Sequence, residues 1–157
     1  MKITIAADHA GYKLKQILAA ELVKKGYEVH DLTPHFKDGD DYPGVANSLA
    51  RSLQSEVGSR KSARPGTKDV GRGTMGVLIC GSGIGVCIAA NRHKGIRAGA
   101  GHDVAEVKLA REHNDINVLC LSGWKTKPAD AMKLIEAFLK TKASNAARHK
   151  RRIKQLG

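Results

Sequence analysis

Apolar and polar positions along this chain follow two alternating rhythms. Residues 3–7 form a short β-type run, after which Leu14, Ile17, Leu18 and Leu22 recur at helical spacing, so a strand followed by an amphipathic helix is predicted. Gly26 ends that helix, residues 27–32 predict a second strand, and Pro43 opens a second helix with Ala46, Leu49, Ala50 and Leu53 on its apolar face. Residues 75–80 predict a third strand, and the glycines at 81, 83 and 85 lead into a helix that runs through Arg92. A fourth strand follows at 96–100, Asp103 caps a helix to about Glu112, and 118–121 predict a fifth strand. Pro128 starts a helix with Ala131, Leu134, Ile135, Phe138 and Leu139 on one face, and a basic helix runs from about 145. Five strands alternating with helices imply one α/β domain over 1–157, a Rossmann-like open parallel five-stranded sheet with helices on both faces.

In such sheets ligands bind outside the carboxyl ends of the strands, so the polar residues there are the first candidates. They are Asp8 and His9 after the first strand, Asp41 and Tyr42 after the second, Cys80 and Ser82 after the third, and His102 and Asp103 after the fourth.

Composition narrows the class. A chain of 157 residues with 41% apolar and 27% charged positions can build its own core, and no apolar run approaches the roughly 18 residues of a spanning helix. Residues 3–7 are interrupted by Asp8 and His9, too short and too polar a run for a signal peptide, so a cytoplasmic protein with no membrane partner is expected. Cys80, Cys87 and Cys120 include no Cys-x-x-Cys pair, and no His/Cys/carboxylate cluster has ligand spacing, so neither a metal nor another cofactor is expected.

The net charge of +12, from 27 Lys and Arg against 15 acids, suits phosphate on a metabolite or on nucleic acid. It concentrates in two stretches, and without them the body is nearly neutral. One is 58–73, rich in glycine and read as a flexible basic insertion; the other is the tail from Lys140, with seven basic residues and no acid. The few aromatics are scattered, which argues against a base-stacking platform, although electrostatic adhesion to nucleic acid stays open as a competing reading.

Cys80-Gly81-Ser82-Gly83-Ile84-Gly85 follows a strand and opens a helix, so its backbone N–H groups and the helix's positive end can surround an anion. A dinucleotide fingerprint needs G-x-G-x-x-G, and here Val86 occupies the slot of the third glycine. The positive end of that helix also favours a Cys80 thiolate, able to act as base or nucleophile, while a cysteine ending a buried strand is by itself more often a small core residue. Cys87 and Cys120 read as core.

Four pieces taken together carry a family likeness. Asp8-His9-Ala10-Gly11, the Cys80 loop running into Ile88-Ala89-Ala90-Asn91-Arg92, Arg111-Glu112-His113-Asn114-Asp115, and Arg148-His149-Lys150-Arg151-Arg152 stand in this order over nearly the whole chain. With Asp41-Tyr42-Pro43, they resemble the type B ribose-5-phosphate isomerases, a family that includes isomerases of galactose 6-phosphate and allose 6-phosphate.

The resemblance implies interconversion of ribose 5-phosphate and ribulose 5-phosphate, a pentose phosphate pathway step, through a cis-enediolate and without a metal. On it, Cys80 is the base that shuttles a proton between C2 and C1, and Ser82 exchanges a proton with a substrate oxygen. His113 opens the furanose ring, as imidazole chemistry near neutral pH allows. The amides of Gly81, Gly83 and Gly85 hold the enediolate oxygens. Asp8, Tyr42 and Asn114 are substrate-binding, the first two through sugar hydroxyls, and His9, Arg148 and Arg152 bind phosphate. Some family members take the base from a glutamate at the position of Val86, so this chain groups with the cysteine users. It also implies a homodimer, or a tetramer, with sites shared between subunits and no specific nucleic-acid partner. Two departures are the basic insertion and Gly123-Trp124-Lys125, where some relatives carry a phosphate-binding arginine that Lys125 or the tail would replace. A six-carbon sugar phosphate is the alternative substrate.

Overall fold

The protein is described from a computed structural model, which covers residues 1–59 and 74–156. The basic insertion at 58–73 therefore lies almost wholly outside the described residues. The order of elements is β1 (Lys2–Ala7), α1 (Tyr12–Lys24), β2 (Glu28–Asp31), α2 (Tyr42–Ser59), β3 (Thr74–Cys80), α3 (Ile84–Ala90), β4 (Ala98–Ala100), α4 (Val104–Asn114), β5 (Val118–Ser122), α5 (Pro128–Lys140) and α6 (Ala147–Gln155). The strands form one sheet in the order β2-β1-β3-β5-β4, every neighbouring pair parallel.

Period-two alternation divides the strand residues between two apolar layers. Ile3, Ile5, Val77, Ile79, Leu119 and Leu121 point to a core completed by Leu14, Leu18 and Leu22 of α1, Val107 of α4 and Leu134, Ile135 and Phe138 of α5. Ala6, Leu78, Cys80, Val118 and Cys120 face the other way, onto Ala46, Leu49, Ala50 and Leu53 of α2 and Val86 and Ala90 of α3. The helices thus cover both faces, which a parallel sheet requires. Each fully buried Leu or Phe contributes about 1.5–3 kcal/mol of transfer free energy.

Three of the boundaries that come out tighter than the apolar pattern predicts do so because a side chain or turn captures the backbone first. The helix expected through Arg92 ends at Ala90. Asn91 then donates through Nδ2 to the Cys87 and Ala98 carbonyls and accepts the Ala98 N–H on Oδ1, clipping the helix end to β4. The fourth strand begins at Ala98 instead of 96, since the Ile96 N–H bonds the His93 carbonyl and the Arg97 N–H goes to Asn117 Oδ1. The second strand begins at Glu28 because the Tyr27 N–H is taken by the Leu22 carbonyl as α1 ends.

β1 and β3 lie side by side, and the chain leaves them in opposite directions: from β1 to the edge strand β2, and from β3 toward β5 and β4. Connections that diverge from adjacent parallel strands leave a crevice beyond their carboxyl ends. Asp8 and Gly81 are the first residues past those ends.

Candidate active site at the carboxyl ends of β1 and β3

Asp8 continues β1 by one residue, its N–H donating to the Ile79 carbonyl of β3 at 3.2 Å. Its carboxylate is buried, and Oδ1 accepts the Gly11 N–H at 3.0 Å at the start of α1. Burial raises its pKa above the usual aspartate value, against the opposing effects of that hydrogen bond and of His9. Gly11 is obligatory here: a Cβ would lie 2.7 Å from the Ile79 carbonyl oxygen, a backbone atom that cannot move aside.

His9 turns outward and is held by Asp40, whose Oδ1 accepts the His9 N–H at 2.7 Å and lies 3.1 Å from the ring Nδ1. The Asp40 bond raises the imidazole's pKa above its ordinary value, so the ring keeps positive charge to higher pH. Asp40 had no role in the sequence reading. Its signal was faint, one more acid ahead of Tyr42-Pro43, and its partner stands 31 positions away in sequence.

Cys80 ends β3. The chain then turns through Gly83, at φ 80°, so that the Gly83 N–H donates to Cys80 Sγ at 3.1 Å and the Ile84 N–H to Ser82 Oγ at 3.2 Å. The turn after β5 clamps this loop: Gly123 N–H donates to the Cys80 carbonyl at 2.8 Å, and Ser122 Oγ and the Trp124 N–H both donate to the Gly81 carbonyl. Two aromatic rings wall it. Trp124 lies across Gly81 and Tyr42 across Gly85, close enough that a Cβ would sit 2.4 Å and 2.6 Å from ring carbons. Asp8, His9, Tyr42, Cys80, Ser82, Gly81, Gly83 and Gly85 therefore gather at one rim, with Lys125 exposed in the neighbouring turn.

The other candidates gather at the opposite rim. α4 carries the chain back from the carboxyl end of β4 to the start of β5, so His113 and Asn114, at its end, lie by the amino ends of the strands. The register sets Val118 beside Gly76, four residues before Cys80, so the sheet alone separates the two rims by about 13 Å. Arg111 builds the corner that presents His113. It is buried, donates from Nη1 to Asp115 at 2.7 Å and to the Ile116 carbonyl, and from Nε to the Thr141 carbonyl at 3.3 Å. Asp115 closes α4 in the left-handed region at φ 48° and also takes Arg97 at 2.8 Å.

α6 packs on this corner through His149, which is 4% exposed. The His149 and His113 rings lie 4.3 Å apart between centroids, and Arg148 Nε donates to His149 Nε2 at 3.1 Å. His149 also went unassigned in the sequence reading, hidden in a basic run, although its spacing from Ile153 marks an inward face. Arg148 and Arg152 are exposed on the same short helix. His102 is exposed as well, and Asp103 caps α4, accepting the Glu106 N–H at 2.9 Å. Among the described residues no three His, Cys, Asp or Glu side chains are grouped to hold a metal, and no helix is long and apolar enough to cross a membrane.

The sequence model of the ribose/galactose isomerase family matches residues 3–156. The chain belongs to that family. Among curated relatives, a probable ribose-5-phosphate isomerase B of Mycoplasma pneumoniae is 38% identical over 152 residues, 96% of this chain and 90% of that protein. Among solved structures, a ribose 5-phosphate isomerase of Thermotoga maritima superposes with a TM-score of 0.84 at 35% identity, covering 99% of this chain and 96% of that one. The ribose-5-phosphate isomerase B of Mycoplasma genitalium, solved with bound ribulose 5-phosphate, gives a TM-score of 0.83 at 36% identity and covers 99% and 93% of the two chains. For this isomerase-family chain, the likeness spans both rims of the sheet.

Proposed function

We propose that the chain is an aldose–ketose isomerase that interconverts ribose 5-phosphate and ribulose 5-phosphate. The observation that carries this is the Cys80 loop beside Asp8 at the switch point of a sheet whose family includes a relative holding ribulose 5-phosphate. That bound five-carbon sugar favours the pentose reading over a six-carbon substrate.

In the reaction, His113 protonates the ring oxygen as the furanose opens to the aldehyde. The Cys80 thiolate takes the C2 proton, leaving a cis-enediolate whose two oxygens the glycine-loop amides and Ser82 stabilise. Returning the proton to C1 while the O2 proton passes to O1, with Ser82 as the relay, gives the ketose. An amide donor aimed at such an oxyanion is typically worth about 2.7–4 kcal/mol. Asp8 and Tyr42 bind sugar hydroxyls, Asn114 also contacts the substrate, and His9, Arg148 and Arg152 take the phosphate.

His113, Asn114, Arg148 and Arg152 cannot reach Cys80 of their own chain across the sheet. The reading therefore includes a homodimer in which one subunit's amino-end rim meets the other's glycine loop, flanked by the exposed Ile84 and Trp124. A cytoplasmic setting suits a phosphorylated metabolite. The deciding experiment compares turnover of ribose 5-phosphate with that of allose 6-phosphate and galactose 6-phosphate, in the parent and in Cys80→Ala. Preferred turnover of the pentose, with loss of C2 proton exchange but retained substrate binding in Cys80→Ala, is expected. Near-normal turnover in the variant would remove Cys80 from the mechanism.

A further inference from the structure

Two nucleophilic side chains, Cys87 and Cys120, lie outside the catalytic roles. All three cysteines belong to the apolar layer between the sheet and helices α2 and α3, with Cys80 and Cys120 buried in it and Cys87 packed against it half-buried. Cys120 pairs in register with Leu78, two residues before Cys80 on the same face of β3. Cys87, on α3, donates its S–H to the Ala98 carbonyl of β4 at 3.4 Å and accepts from Asn91 Nδ2 at 3.7 Å, and Ala98 lies two residues before Ala100, the register partner of Cys120. Two thiols of one apolar layer, on a helix and a strand that pack together, stand where a small movement closes a disulfide.

The two thiols are unequal. The Cys120 side chain holds the Cys87 thiol down at about 7, against the effect of burial, whereas enclosure pushes the Cys120 thiol well up. Cys87 is thus the partner with thiolate character and access from outside, and Cys120 the enclosed thiol beside it.

We propose that Cys87 and Cys120 form a reversible disulfide on exposure to a peroxide, a modification site that ties α3 to β5 and disables the glycine loop from which α3 begins. The Cys87 thiolate attacks one oxygen of hydrogen peroxide and breaks the O–O bond, giving Cys87 sulfenic acid and hydroxide. Cys120 then yields its proton and attacks the sulfenic sulfur, forming the S–S bond as the sulfenic oxygen leaves as water. Two electrons pass from the sulfurs to the peroxide, and a dithiol reductant returns them. An S–S bond is about 2.05 Å long, so closure draws α3 toward β5 by more than about one ångström. Displacement on that scale near reacting atoms costs about a hundredfold in rate.

The covalent readout is independent of the proposed activity, and the rate readout rests on it. Full-length protein is treated with hydrogen peroxide, alkylated, digested and examined by mass spectrometry, with ribose 5-phosphate turnover followed in parallel. A peptide pair joined through Cys87 and Cys120 is expected, with a ten- to hundredfold fall in kcat that dithiothreitol reverses. Cys87→Ser should match the parent before treatment and keep that turnover afterwards. Cys120→Ala should instead trap the sulfenic acid, giving a dimedone adduct on Cys87, which keeps the proposal testable should Cys87→Ser fail to fold. No linked peptide, linkage without loss of rate, no adduct in Cys120→Ala, or loss in Cys87→Ser as fast as in the parent would each overturn the switch, the last assigning inactivation to Cys80. A parent without isomerase turnover defeats the functional reading instead, and the linked peptide still decides whether the disulfide forms.

Discussion

His149 stacks on His113 with its ring tilted 45°, its Nε2 taken by Arg148 and its Nδ1 enclosed without a hydrogen-bond partner. Burial chiefly, then the charges of His113, Arg148 and Arg152, hold the His149 pKa below its ordinary value, with Glu112 opposing. The unfolded chain therefore binds this proton more readily than the folded one. Stability is complete above the unfolded value of about 6.5 and falls as pH drops through the depressed folded value. Urea midpoints measured from about pH 7.5 down to about 5.5 should decline in the parent and decline less in His149→Asn. Identical slopes in the two proteins would show that the proton is taken up elsewhere.

Asp40 raises the pKa of His9, so substrate affinity should persist to higher pH than a free imidazole would allow. Asp40→Asn removes the carboxylate and keeps a side chain able to accept the backbone N–H. The pH at which KM for ribose 5-phosphate begins to climb should move down toward about 6.5, with kcat on the plateau little changed. An unmoved profile would mean that charge on His9 does not assist phosphate binding.

The glycines of the site separate into those that face side chains and those that face backbone. At Gly81 a new Cβ meets the ring of Trp124, which is 74% exposed and can swing away; at Gly11 it meets the Ile79 main chain, which cannot. Gly81→Ala should fold with nearly the parent's melting temperature, lose turnover, and shift the emission of the chain's single tryptophan. Gly11→Ala should unfold several degrees lower, since a backbone clash in a packed layer costs about 1–3 kcal/mol. Equal losses of stability in both would contradict this division.

Much of this was legible in the chain because strand and helix periods read burial directly. The alternation Val77, Leu78, Ile79, Cys80 already divides one strand between two cores, and the glycines after it announce a turn that only the left-handed Gly83 makes possible. Strand order was not legible: nothing in residues 98–122 says that β5 inserts between β3 and β4, because order depends on which crossover packs best. The pairing of His9 with Asp40 and of His149 with His113 escaped for a related reason. Each joins residues more than 30 positions apart, and local pattern carries no record of such contacts. The same holds for the separation of the Cys80 loop from His113, which follows from the return path of α4 and from no motif.

That separation gives the most discriminating prediction. If each active site combines the Cys80 loop of one subunit with His113, Arg148 and Arg152 of the other, a Cys80→Ala chain and a His113→Ala chain are each inactive for different halves of the same site. Mixed and allowed to exchange subunits, they form hybrids in which one site carries both lesions and the other carries neither. Random exchange at equal concentrations makes half the dimers hybrid, so about a quarter of the parent's turnover should return. Cys80→Ala mixed with Arg152→Ala should behave alike when ribose 5-phosphate is held well below the raised KM of Arg152→Ala, where that chain alone turns over little. Arg152→Ala alone raises KM about ten- to a hundredfold, because a charge-assisted hydrogen bond to phosphate is worth about 1.5–3 kcal/mol. Lys150→Ala and Arg151→Ala, off the face that Arg148 and Arg152 share at four-residue spacing, should change KM little. Were base and histidine supplied by one subunit, every hybrid site would keep a lesion and no activity would return, and the two rims of the sheet would have to serve separate purposes.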